Sequence, residues 1–179
     1  MDYGPQPDPN LASELRQGAG REWTEEAAED ERLTELHRRR RLTLADQAKE
    51  FVNRGDRVSV EFSGHSFGGA VTRAGEDYAT VEGPGQAADI KLAAARWSVM
   101  PAERPAAAAP GGTESFRAVL AEHAASEQVV RLALPGGDMV MGKIAVVAED
   151  HVEVSDPDQR RLIVPMYLIL GVVRSSDHP

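Results

Sequence analysis

From Val58 the chain alternates apolar and polar positions: Val58, Val60 and Phe62 are separated by Ser59 and Glu61, the period of two that a half-buried strand requires. Short segments of the same kind follow at Ala70 to Thr72, at Tyr78 to Val81 after the turn Gly75-Glu76-Asp77, and at Ile90 to Leu92 after Gly83-Pro84-Gly85. Trp97, Val99 and Met100 read as a closing strand. Five strands in so short a stretch predict a small antiparallel barrel. The pattern then recurs. Val129 to Leu134, Val140 to Val147 with Gly142 inside it, Val152 with Val154, Leu162 to Val164, and Ile169 to Val173 form a second set, separated by the turns Pro135 to Asp138, Glu149-Asp150 and Asp156 to Asp158.

A helical period precedes each set. Thr43 can cap a helix that places Leu44, Ala48, Phe51 and Val52 on one face and stops at Gly55. Thr113 can cap another carrying Phe116, Val119, Leu120 and Ala124. Laid over each other at a displacement of about 71 to 73 residues, the two halves keep step. Leu44 falls on Phe116, Ala48 on Leu120, Val58 on Val129, Gly69 on Gly142, Val71 on Ile144, Asp77 on Asp150, Val81 on Val154 and Trp97 on Ile169. The expected organisation is a disordered tail over 1–22, a charged helix over 23–42, and a first helix-plus-barrel unit over 43–100. An Ala- and Pro-rich linker over 101–112, a second unit over 113–175 and a short tail over 176–179 complete it. In the charged helix, Thr24 is the expected cap, acids lead from Glu25 and arginines end it, the order that the helix dipole favours.

Composition narrows the chemistry. The 179 residues include no cysteine, which excludes disulfides, thiolate metal sites and a cysteine nucleophile. The apolar runs are too short for a membrane helix and the N-terminus lacks the features of a signal peptide, so a cytoplasmic protein is expected. Arg outnumbers Lys 17 to 3 and Ala is abundant, a bias associated with GC-rich bacterial genomes. Net charge is −9, and residues 43–100 sum to −2 from eight acids and six bases, so neither half is a basic platform. Aromatic residues make up only 5%, which disfavours base stacking.

Gly142-Lys143-Ile144, Glu149 to Val154 and the run Ile163 to Val173 resemble the two signatures of the Sm-like family of small SH3-like barrels; Gly69-Ala70-Val71 and Glu76-Asp77-Tyr78 repeat them more loosely. The resemblance implies two tandem Sm-like five-stranded barrels, each preceded by a helix, in a mainly β protein with an added N-terminal helix. It also implies RNA contacts through a polar residue after the turn acid and a basic-Gly step in the last signature. Those positions here hold His151 or Tyr78, and Leu170-Gly171, so the hydrogen-bonding groups for bases are missing. Free edge strands would then pair within the chain or recruit other copies.

Gly64-His65-Ser66-Phe67-Gly68 matches the nucleophile elbow of serine hydrolases and follows a strand. The β-branched residues after Gly69 predict a strand where that elbow needs a helix, and a Gly-rich hairpin loop accounts for the motif. His37, His65, His123, His151 and His178 show no metal-ligand spacing, and His123 lies on the apolar side of its helix. No catalytic residue, metal site or cofactor is expected. The remaining cluster is Arg38, Arg39, Arg40 and Arg41: a nucleic-acid patch on one reading, charge balance with the preceding glutamates on the other. The expected function is non-enzymatic binding of a macromolecule, with a protein partner or self-association first, RNA as the alternative, and a hydrolase at Ser66 behind both. Neither a membrane nor a small-molecule substrate is expected.

Overall fold

The structure, a computed structural model, describes residues 28–100 and 114–175. The expected tails, the Thr24 and Thr113 caps, the linker and His178 lie outside the described residues. The chain divides into two compact units, one ending at Leu42 and one beginning at Thr43.

In the first unit, helix α1 covers 28–41. Its surface is organised by local charge pairs: Glu29 with Arg32 at 2.8 Å, and Glu35 with both Arg38 at 2.8 Å and Arg39 at 2.7 Å. Leu33 and Leu36 are both exposed, the thin apolar stripe that the sequence allowed.

The second unit begins with α2, Leu44–Arg54. Thr43 and Asp46 form a reciprocal capping box at its start, and Gly55 ends it at φ 70°. Five strands follow: β1 Arg57–Phe62, β2 His65–Ala74, β3 Tyr78–Gly83, β4 Gln86–Lys91 and β5 Arg96–Met100. Helix α3, Phe116–Ser126, is capped by Ser115 and leads into β6 Val129–Ala133, β7 Met139–Val147, β8 His151–Ser155, β9 Arg161–Pro165 and β10 Gly171–Ser175. All pairings are antiparallel, and each half repeats the other in register. Val58 faces Gly69 across β1–β2 as Val130 faces Gly142 across β6–β7. The β2–β3 ladder slips between Val71 and Arg73, and β7–β8 slips between Ile144 and Val146, so the same bulge bends the same strand twice. Gly69 and Gly142 share one steric cause: a Cβ would stand 2.1 Å from the Glu82 carbonyl oxygen at Gly69, and 2.3 Å from that of Ser155 at Gly142. The sequence overlay drifts at two points, since the counterpart of Val58 is Val130 and that of Trp97 is Val172.

The expectation of two separate five-stranded barrels is overturned. The strands form one open ten-stranded sheet in the order β5-β1-β2-β3-β4-β10-β6-β7-β8-β9. β4 does not stop at the boundary of its half; it pairs with β10 from Gln86↔Ser175 to Ile90↔Gly171. The cores interlock across this joint. Tyr78 of the first half is buried in the cluster of Phe116, Leu120, Leu132 and Val152, while Ala133 and Val173 of the second half are buried with Val58, Phe62 and Ile90. An unpaired strand edge leaves backbone donors and acceptors unsatisfied, and joining β4 to β10 satisfies both rows at once.

Candidate functional site

The joint between the halves gathers side chains that sequence spacing kept far apart. Lys91, the last residue of β4, donates its backbone N–H to Leu170 at 3.0 Å and its Nζ to the Met166 carbonyl at 2.7 Å. The ammonium also lies 5.1 Å from the centre of the Phe116 ring, and its burial lowers its pKa. Asp77, a turn acid, accepts the Phe116 backbone N–H at 2.6 Å and so satisfies a donor at the start of α3. Arg73 bridges to Glu114 at 3.1 Å and to Glu122 at 2.8 Å, which holds the Glu122 carboxyl below its ordinary range. Tyr78, buried under this arrangement, has its hydroxyl pKa pushed up by desolvation.

The joint also holds a polar cluster from four elements. Asp89 of β4, 2% exposed, accepts from Thr80 of β3 at 2.6 Å through Oδ1 and from His123 Nε2 of α3 at 2.7 Å through Oδ2. Arg174 Nε of β10 stands 3.8 Å from the same Oδ2 and is buried without a hydrogen-bond partner. A cavity of about 430 Å³ opens beside them, lined also by Arg73, Glu82, Glu122 and Gln128. The threonine hydroxyl is turned to the carboxylate and not to the imidazole. The arrangement therefore lacks the nucleophile-to-base hydrogen bond of a catalytic triad and serves as a buried polar latch across the joint. His123 was legible as an inward-facing residue. Its partner was not singled out, although an acid within Ala87-Ala88-Asp89-Ile90 is a recognisable signal of a buried, paired carboxylate.

Ser66 lies within β2, opposite Glu61, with its Oγ 3.4 Å from Ser59 Oγ. The turn is Ser63-Gly64 alone, at φ 50° and 74°, as a two-residue hairpin of the I′ kind needs, and the strand runs on through Gly69 to Ala74. The expected Gly-rich loop is therefore mostly strand, and no helix is launched from Gly69. Arg38 and Arg39 are held by Glu35, whose carboxyl they bring down to about 2, while Arg40 and Arg41 are exposed near the end of α1. His65, His123 and His151 are dispersed, contacting Gly137 O, Asp89 and Asp150 respectively. Among the described residues no three metal-ligating side chains converge, and no helix is long and apolar enough to cross a membrane.

The outer strands of the sheet are β5 and β9. Val99 and Met100 on β5 and Ile163 on β9 are exposed, as is Leu44 at the start of α2. Compared with known proteins, the chain matches no family model and no curated protein.

Proposed function

We propose that this chain is a non-enzymatic binding protein that takes up other macromolecules, proteins first, by strand addition at β5 and β9. The observation that carries the reading is the β4–β10 joint, in which the chain already joins two strand edges and seals the seam with side chains from the flanking helix. The outer edges offer the same backbone chemistry to an extended segment of a partner. Exposed apolar side chains on both edges supply area to bury. Pro165, which ends β9, has no N–H where Lys91 of β4 donates to Leu170, so a strand docked on β9 makes one bond fewer at that end.

Capture of partners from the native cell extract, with and without ribonuclease, tests it. Proteins retained through ribonuclease treatment by the unaltered chain, and released by Ile163→Asp, are the expected result. Capture that disappears with ribonuclease and with alanine at Arg38 to Arg41 would replace this reading with RNA binding, and affinity would then fall steeply with salt. The Glu35 pairing weighs against that outcome, because its one carboxylate already engages two of the four cations.

A further inference from the structure

We infer that the partner at these edges is a second copy of this chain, with β9 of one copy pairing antiparallel with β5 of the next in the register of the internal joint. The inference rests on the edge-docking reading and names its occupant. The repeat supplies the register. Residues of β9 stand where residues of β4 stand in the other half: Ile163 faces Glu153 as Asp89 faces Thr80. Residues of β5 stand where residues of β10 stand: Ser98 faces Ser59 as Val173 faces Arg131. Since Val172 faces Asp89 in the internal joint, Trp97 of one copy faces Ile163 of the next.

Side-chain chemistry at the counterpart positions argues for this occupant. Inside the chain the joint is sealed by Asp89, His123, Arg174 and Arg73. Their counterparts are Ile163, Phe51, Val99 and Val146, all apolar. Ile163 is 58% exposed, Val146 44% and Val99 37%, whereas Phe51 already closes the edge of the first core. Leu44, 55% exposed, is the counterpart of Phe116, which the joint buries. α3 buries Phe116 and Val119 where α2 leaves Leu44 exposed and Gln47 half-buried, because α3 has another half beside it. Docking a second copy covers Leu44, Val99 and Ile163 together, placing Ile163 of one copy against Trp97, Val99 and Phe51 of the next. The charged residue at the Thr80 position, Glu153, is already paired with Arg161. The contact is heterologous, since β5 and β9 are different surfaces, and a pair of copies keeps one free β5 edge and one free β9 edge, one on each copy.

Sedimentation of the full chain over a range of concentrations tests this. The mass is expected to rise with concentration for the unaltered chain and to stay that of one chain for Ile163→Asp and for Val99→Asp. Mixing the two variants is expected to restore a complex of two chains, because one keeps an intact β5 end and the other an intact β9 end. Should Val99→Asp fail to fold, Leu44→Asp replaces it, as an acid in the first turn of α2 suits the helix. An unaltered chain that remains single at all concentrations, or a mixture that remains single, overturns the inference. If the chain is single but its ribonuclease-resistant partners are still lost with Ile163→Asp, the second copy is wrong and edge docking stands. If those partners are unaffected by Ile163→Asp, edge docking falls as well.

Discussion

His123 of α3 and Asp89 of β4 come from opposite halves of the repeat and meet at 2.7 Å in a place where both are almost sealed from water. Buried charge is tolerated when each polar atom finds a partner, and here the carboxylate has Thr80 on one oxygen and His123 on the other. Removing Asp89 takes away the buried partner of both His123 and Thr80, and removing His123 leaves one buried carboxylate oxygen without its hydrogen bond. His123→Ala and Asp89→Ala are each expected to destabilise the second unit by about 3 kcal/mol, read from denaturant midpoints at constant m-value.

The counterparts in the other half suggest a sharper experiment. Asp89→Ile and His123→Phe install the residues found at Ile163 and Phe51. Each single change is expected to be costly, whereas the double variant replaces a buried hydrogen-bonded pair with apolar packing of similar shape. It should recover at least about 1 kcal/mol relative to the sum of the single changes. Strict additivity would mean that the two side chains do not act as a pair.

Gly69 and Gly142 are expected to respond alike, because each lets a carbonyl of the neighbouring strand approach closer than any Cβ permits. Gly69→Ala and Gly142→Ala should each cost about 1–3 kcal/mol by forcing β3 or β8 outward. Gly64, at φ 74° with nothing within 4 Å of a Cβ, would be strained by alanine for the different reason of its backbone conformation. Thermal denaturation of the three variants distinguishes a steric pair from a conformational single.

The helices and strands were largely legible because they depend on local period and on turn residues: Thr43, Gly55 and the acids Asp77 and Asp150; the Gly-rich segment after Ser63 misled, because its glycines lie in strand β2 and not in a loop. What local pattern cannot carry is the partner of a strand's second edge. In the local pattern β4 is an inner strand of the first unit and β10 the closing strand of the second, and only their ladder from Gln86↔Ser175 to Ile90↔Gly171, across a long separation, joins them. Tyr78 was legible as the first residue of a strand, but the core it enters belongs to the other half. The polar latch was half legible. His123 stood out on its helix, while Asp89, Thr80 and Arg174 carry no spacing signal because three strands from different parts of the chain bring them together.

Interlocked cores predict that the covalent link between the halves is dispensable once the protein has folded. A protease site placed within residues 101–112 and cut in the native state is expected to give two fragments that co-elute as one species. They should unfold in a single transition, since Tyr78, Ala133 and Val173 each lie in the core of the opposite half. Fragments that separate on a sizing column under native conditions would contradict the shared sheet.

The Arg73 bridge gives the joint a pH dependence of defined sign. Hydrogen bonding to Arg73 lowers the Glu122 pKa below its unfolded value, so the folded state binds the proton less readily than the unfolded state. The contribution of this pair is fully present above the unfolded carboxylate pKa, about 4.3, and is lost as pH falls through the lower folded value. Both side chains reach solvent, and screening keeps the effect small. Glu122→Gln is therefore expected to leave the shape of the stability curve above about pH 5 unchanged and to make its acid limb shallower. Denaturant midpoints measured from about pH 6 down to about pH 3 read this directly. An acid limb as steep as that of the unaltered chain would show that Glu122 gains nothing from Arg73 in solution.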